Sequence, residues 1–159
     1  MHFIFARVMG LYFIGATVIS LSTYSFYYFR SPWALLIIIG MTFTIAYLGP
    51  LWCRIFLKSK PYKGKYEERL YSFTRNQEMT LQGIYSIDST SSQAFTCGFG
   101  RSKSVFYHSN VLENHPYDEI ETVMAHELGH QAHGDIVLYT SIVAIILVFS
   151  SILNVAIFS

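Results

Sequence analysis

The chain has 159 residues, which suits about one domain, and its formal net charge of +1 gives no indication of a nucleic-acid partner. Only 13% of the residues are charged and 52% are apolar, whereas about 25% of the residues of a typical soluble protein are charged. The composition therefore argues against an ordinary soluble protein.

Three segments lack Asp, Glu, Lys and Arg, and each is long enough to cross a lipid bilayer. They are residues 8–29, 31–53 and 136–159. At about 1.5 Å per residue, a helix of about 20 residues crosses a hydrocarbon core of roughly 30 Å. We therefore predict about three transmembrane helices in contact with membrane lipid. The first segment could be taken for a signal peptide, but its apolar run is too long and its start is weakly basic, so a membrane anchor is the better interpretation.

Basic residues are concentrated after the second predicted span, where eight of the eleven Lys and Arg residues lie between Lys58 and Lys103. By the positive-inside rule, this middle part faces the cytosol. We divide the chain into an N-terminal transmembrane hairpin (residues 1–57), a cytosolic segment (58–135) and a transmembrane helix (136–159). Because Cys53 and Cys97 lie at the membrane border and in the cytosolic part, we expect no disulfide.

Short elements are predicted in chain order between the second and third spans. Gly49-Pro50 should kink or divide the second span, because proline lacks an N–H and clashes with the preceding turn. A helix is predicted over residues 65–78. Strands rich in β-branched and aromatic residues follow at 83–88, at "AFTCGFG" from Ala94 and at "SVFYHS" from Ser104.

A longer helix should begin at about Pro116, since a proline in the first turn loses no hydrogen bond. Ile120, Met124 and Leu128 recur with helical spacing and predict the face that packs on the core. The histidines of the stretch "MAHELGHQAHGD" fall about 130° away around this helix. They therefore point at something other than the core.

His126, Glu127 and His130 form an H-E-x-x-H motif. Residues four apart on a helix lie one above the other, so both imidazoles can bind one zinc ion. The adjacent carboxylate can take a proton from a zinc-bound water, which is why this spacing accompanies peptide hydrolysis. The alternative is a helix whose histidines only hydrogen-bond to neighbours. His133 lies about 10 Å along the axis from His126, so we interpret it as a helix-end or supporting group rather than a ligand.

The stretch "AHELGHQAHGD", preceded by "DEIETVM" and followed by a membrane span, resembles the type I CAAX prenyl proteases. These are membrane zinc peptidases of the endoplasmic reticulum, related to a bacterial heat-shock membrane protease. The likeness extends to "YLGPLWCRIFLK" and "IYSIDSTSSQAFTCGFGRSKSVFYHSNVLE". It implies a mainly α-helical membrane protein with about three transmembrane helices and a small cytosolic α+β zincin-like unit, in which a short sheet accompanies the H-E-x-x-H helix.

The resemblance also implies roles for individual residues. His126 and His130 would bind one Zn²⁺, and Glu127 would be the catalytic base. The segment from Gln93 to Gly98 would be an edge strand that pairs with the substrate. Its predicted substrate-binding residues are Gln93, Ala94, Phe95 and Gly98. The substrate would be a peptide or the C-terminus of a prenylated CAAX protein, from which three residues are removed.

The chain departs from the family pattern at Gln93, Gln131 and Asp135, where the family has asparagine, tryptophan and histidine. The family's third zinc ligand is a glutamate on a later helix, and this sequence has no Asp, Glu, His or Cys after Asp135. Unranked replacements are Glu67, Glu68, Glu113, His108, His115, His133 and Asp135. The predicted function is a zinc-dependent membrane metalloendopeptidase, integral to the endoplasmic reticulum membrane with its catalytic segment in the cytosol. The alternative is a non-catalytic or truncated relative that serves as a structural or interaction module.

Overall fold

The computed structural model describes Ser20, Tyr24 and residues 32–158. The first predicted span, residues 8–29, therefore lies outside the described residues except for Ser20 and Tyr24. The rest of the predicted hairpin up to residue 31 lies outside them as well. The described chain forms two compact units, Ala46–Leu138 and the residues on either side of it. The predicted boundaries at residues 57 and 135 stay predictions.

The second predicted span is divided into two helices, as the Gly49-Pro50 pair indicated. Helix α1 is Pro32–Tyr47 and α2 is Gly49–Phe56, and the pair bends by 56° at the break. Pro50 lies in the first turn of α2, where its missing N–H loses no hydrogen bond.

The last predicted span corresponds to α6, Asp135–Phe158, in which residues Asp135–Leu153 have a mean hydropathy of 2.6. In the described part of the chain, one helix is long and apolar enough to cross a membrane, or two if the bent pair is one span. The predicted number of about three spans is thus not confirmed.

The residues between α2 and α6 in the sequence form a four-stranded mixed sheet. Strands β1 (Lys60–Pro61), β2 (Gly83–Ile87), β3 (Ala94–Cys97) and β4 (Ser104–His108) have the spatial order β1-β2-β4-β3. The β2–β4 pair is parallel, and the other two pairs are antiparallel. Strand β3 therefore lies at one edge of the sheet.

Helix α3 is Glu67–Asn76, α4 is Ser109–Asn114 and α5 is Tyr117–His133. The predicted helix over residues 65–78 is confirmed as the shorter α3, and the helix predicted from about Pro116 is confirmed as α5, whereas the short α4 was not predicted. Pro116 caps α5 instead of beginning it. The predicted strand "AFTCGFG" ends at Cys97, because Gly98 adopts a left-handed backbone with φ of 79° and turns the chain.

The two faces of the sheet pack against different helices. One face contributes Ile84, Val105 and Tyr107 to a core that α3, α4 and α5 complete. The buried residues that these helices supply are Leu70, Val111, Leu112, Ile120, Met124 and Leu128. The other face carries a smaller cluster with Cys53 and Leu57 packed against it. The coarse prediction of a mostly helical chain with a small sheet is confirmed.

Candidate active site

His126 and His130 lie one turn apart on α5, on the side away from the buried core. Their Nε2 atoms are 3.1 Å apart, and the ring planes cross at 84° with centroids 4.6 Å apart. A tetrahedral zinc with nitrogen ligands at 2.0–2.1 Å separates two such nitrogens by about 3.3 Å. The pair therefore has the chemistry and the spacing of two ligands of one zinc ion.

Asp135 holds the far side of the His130 ring. Helix α5 ends at His133 and is capped by Gly134, whose left-handed φ of 72° costs a glycine little, and α6 begins at the next residue. This turn brings Oδ2 of Asp135 to 2.6 Å from Nδ1 of His130. With Nδ1–H donating to the carboxylate, the lone pair of Nε2 faces His126. The same hydrogen bond raises the pKa of His130.

Glu127 lies between α5 and the edge strand and is 7% exposed. Burial raises the pKa of its carboxyl group, while the charges of His126 and His130 and a hydrogen bond from the backbone N–H of Thr96 oppose that rise. The carboxyl group is thus fixed by β3 and lies within electrostatic reach of both rings. A carboxyl group held in this way beside both rings can accept a proton from a group bound there and pass it on.

Thr96 joins the edge strand to α5 a second time through its side chain. The amide of Gln131 donates to Oγ1 of Thr96, whose hydroxyl group donates to the carbonyl of Ser104 at 3.3 Å. Gln131 is 5% exposed, so its amide is a buried polar group with a partner. Sequence reasoning noted Gln131 only as a departure from the family pattern. Its position four residues after Glu127 was the available signal that both side chains face β3.

The predicted substrate-binding residues lie on or beside β3. Ala94 faces the core shared with α5, whereas Phe95 faces the opposite side, where it stacks on Phe106 at 5.3 Å. Gln93 precedes the strand, with its side chain exposed and its carbonyl accepting from the backbone N–H of His108 at 3.1 Å. Gly98 follows the strand and is buried. Their roles in substrate binding stay predictions.

Two cavities lie along α5, one on each side of the histidine pair. One of about 200 Å³ is beside His130, with Lys103 and Gly134 in its wall. Another of about 450 Å³ includes Thr122, one turn before His126. In the part of the chain that the structure describes, no further strand pairs with the outer edge of β3. An extended chain laid along this edge would pass between the two cavities.

The candidate third ligands are not gathered at the pair. His133 donates its Nδ1–H to the carbonyl of Gly129 at 2.8 Å, in its own helix. His115 bonds to Glu119 at 2.7 Å, and Asp135 contacts the nitrogen of His130 that faces away from His126. The other candidates are Glu67, Glu68, Glu113 and His108. Among the described residues, no group of three His, Cys, Asp or Glu side chains is arranged to hold a metal ion.

Comparison with known proteins gives a family match over more than half of the chain. A profile described as Peptidase family M48 matches residues 63–159. Protease HtpX from Tolumonas auensis is 43% identical over 68 residues, which cover 42% of this chain and 23% of that protein. Protease HtpX from Psychrobacter sp. is 36% identical over 75 residues, which cover 46% of this chain and 24% of that protein.

A solved structure has a similar fold. The crystal structure of S. mikatae Ste24p matches with a TM-score of 0.69 and 24% sequence identity, and the match covers 96% of this chain and 38% of that chain. At this identity the likeness concerns the fold alone. The chain spans about a quarter of the length of the two curated relatives.

Proposed function

Because this chain belongs to peptidase family M48, we propose that it carries the catalytic half-site of a zinc-dependent membrane endopeptidase. His126 and His130 would hold the zinc ion, and Glu127 would act as the general base. The observation that carries the proposal is the convergence of two Nε2 atoms at 3.1 Å beside a carboxylate that the edge strand holds in place.

A zinc ion held by His126 and His130 would supply Lewis-acid chemistry at this site. Glu127 accepts the proton of the attacking water and passes it to the leaving amine. The Thr96 backbone N–H orients that carboxylate, and Asp135 keeps the His130 ring from rotating. Catalytic zinc sites use three protein ligands, so a third ligand must come from outside this pair.

The proposed substrate is a polypeptide that adds to the free edge of β3 as a further strand. Backbone groups of an edge strand bind an extended peptide regardless of its sequence, and side pockets then select residues. Gln93 and Gly98 would bound this edge, where Ala94 offers outward-facing backbone groups. The backbone groups of Phe95 pair with Phe106 of β4, so Phe95 would contribute its side chain to the binding site. From the resemblance to the prenyl proteases, we propose the C-terminus of a prenylated CAAX protein, from which a tripeptide is removed.

We further propose that the protein is integral to the membrane of the endoplasmic reticulum and that residues 58–135 form its cytosolic metallopeptidase segment. Residues 1–57 would be the transmembrane hairpin and residues 136–159 a transmembrane helix. The apolar helix Asp135–Leu153 supports membrane insertion. The basic residues after α2 support the orientation.

A second function is favoured by one observation, the missing third ligand among the described residues. A two-ligand site binds zinc weakly, and such a chain would serve as a structural or interaction module of the membrane. In this alternative the chain has the same fold but does not cleave peptides.

The deciding experiment measures zinc content and peptide cleavage on the full chain in detergent. We expect Glu127→Gln to keep its zinc and to lose cleavage by about 10²–10⁴-fold. His126→Ala should lose the zinc itself. His133→Ala is the matched control, because its ring bonds within its own helix, and it should change neither. If the unmodified chain neither binds zinc nor cleaves peptide, the result would favour the alternative function as a structural or interaction module.

A further inference from the structure

Cys53 and Cys97 are 44 residues apart in the sequence, yet their sulfur atoms lie 3.7 Å from each other. Cys53 belongs to α2, and Cys97 is the last residue of β3. Both are half-buried free thiols, and both belong to the compact unit Ala46–Leu138. Since the sequence contains two cysteines, the chain carries one pair of adjacent thiols and no other thiol.

The backbone of α2 lies close to the end of β3, as the surroundings of Gly49 and Gly98 show. A Cβ atom added at Gly49 would lie 3.7 Å from Cβ of Cys97, and one added at Gly98 would lie 2.8 Å from Cγ of Pro50. The sulfur atoms must approach by about 1.6 Å to reach the roughly 2.05 Å of a disulfide. Side-chain rotation and a small shift of β3 toward α2 would supply that approach.

Water-soluble reagents have a route to this pair. Arg54 directly follows Cys53, and its side chain is exposed, with the guanidinium 5.4 Å from the Tyr85 ring. An arginine is costly in hydrocarbon, so this turn of α2 lies at an aqueous boundary. The exposed Lys58 and Lys60 follow immediately along the chain.

We propose that Cys53 and Cys97 form a reversible dithiol–disulfide site whose co-reactant is a low-molecular-weight disulfide such as glutathione disulfide. One cysteine, as its thiolate, attacks the small disulfide, forms a mixed disulfide and releases one small thiol. The other cysteine thiolate attacks the protein sulfur of that mixed disulfide and releases the second small thiol. Two electrons pass from the cysteines to the reagent, and the two protons lost by the cysteines end on the released thiols.

The disulfide would act on the candidate active site through β3, and this step rests on the proposed peptidase function. Cys97 faces α2, whereas its neighbour Thr96 contacts Glu127 and Gln131 of α5. Shortening the sulfur–sulfur distance draws the end of β3 toward α2 and lengthens the contacts of Thr96 with α5. We expect the oxidised chain to cleave peptide about tenfold more slowly, as loss of a hydrogen bond to a charged group implies.

To test the chemical step, the reduced full chain in detergent is incubated with glutathione disulfide. The mass of the intact protein is then measured by mass spectrometry. The expected product has lost two hydrogen atoms, carries no glutathione and returns to the starting mass with dithiothreitol. Cys53→Ser should instead retain one glutathione on Cys97, because no neighbouring thiol can displace it. A wild-type chain that keeps two glutathiones, or that forms disulfide-linked dimers, would overturn the proposal.

The functional step is tested by comparing cleavage by the reduced, oxidised and re-reduced wild-type chain. Reduced Cys53→Ser should match the reduced wild type, since a hydroxyl group at that position leaves β3 in place. A disulfide that forms without slowing cleavage would overturn the inhibitory role. If no form cleaves peptide, the proposed function fails, while the mass measurement still decides whether the dithiol site exists.

Discussion

Asp135 accepts a hydrogen bond from Nδ1 of His130 at 2.6 Å, across the single glycine that separates α5 from α6. The carboxylate stands at the first residue of the apolar helix, and the ring stands in the last turn of the motif helix. The start of the apolar helix therefore determines the orientation of one proposed zinc ligand. A substitution at the first residue of α6 should therefore change the affinity of the proposed site for zinc.

We expect Asp135→Ala to weaken zinc binding by about 10–100-fold, because the freed ring of His130 can rotate away from His126. Asp135→Asn retains an oxygen that accepts the same hydrogen bond, and it should recover most of the affinity. The measurement is a competition titration with a zinc chelator on the full chain. Equal affinities in Asp135→Ala and wild type would show that the ring needs no such support.

The contact between Gln131 and Thr96 should contribute to stability as a pair. Thr96→Val keeps the shape of the side chain but leaves the buried amide of Gln131 without its partner, at a cost of about 1–3 kcal/mol in unfolding free energy. Gln131→Met should cost less, since it removes the buried polar group. In the double variant the two costs should not add, because one interaction is removed twice. Denaturant unfolding followed by tryptophan fluorescence measures each value, and strictly additive costs would contradict the contact.

Local patterns predicted the motif, and long-range contacts completed the site. The four-residue spacing of His126 and His130 is a property of one helix, so the sequence alone could predict it. The parallel pairing of β2 with β4 places β3 at the edge, and no local pattern specifies such pairing. The Asp135 contact depends on the left-handed turn at Gly134.

The Cys53–Cys97 contact required the same kind of long-range information. It depends on packing between α2 and β3, across 44 residues of chain. The expectation of no disulfide rested on the compartment, and compartment says nothing of the distance between two reduced thiols. Sequence reasoning therefore predicted most of the elements between residues 58 and 135 but not which of their side chains meet.

Gly98 and Gly100 form a matched pair for testing the turn after β3. Both have a left-handed backbone, with φ of 79° and 60°, so alanine at either position costs about 1–2 kcal/mol from backbone strain. At Gly98 the added Cβ would also lie 2.5 Å from the carbonyl oxygen of Ser102, whereas at Gly100 it would meet no atom within 4 Å. We expect Gly98→Ala to lower the unfolding free energy clearly more than Gly100→Ala. Equal losses would mean that the turn relaxes away from Ser102.

His108 should make stability depend on pH. The residue is 8% exposed, no described residue hydrogen-bonds its Nδ1, and burial lowers its pKa. Below the unfolded-state pKa of about 6.5, His108 is protonated in the unfolded chain while it stays neutral in the folded chain. Stability is therefore lost as the pH falls from about 6.5 toward the lower folded-state pKa.

Replacing this buried imidazole should remove that part of the acid sensitivity. When the pH is lowered from about 7.5 to about 5.5, we expect the unfolding free energy of His108→Leu to fall less than that of the wild type. These two pH values lie on either side of the reference histidine pKa of about 6.5. His133→Leu is the control, because it makes the same replacement at an exposed histidine at the end of α5. The measurement is denaturant unfolding at each pH on the zinc-free chain. Identical slopes for His108→Leu and wild type would mean that the His108 ring is protonated as easily in the folded chain as in the unfolded one.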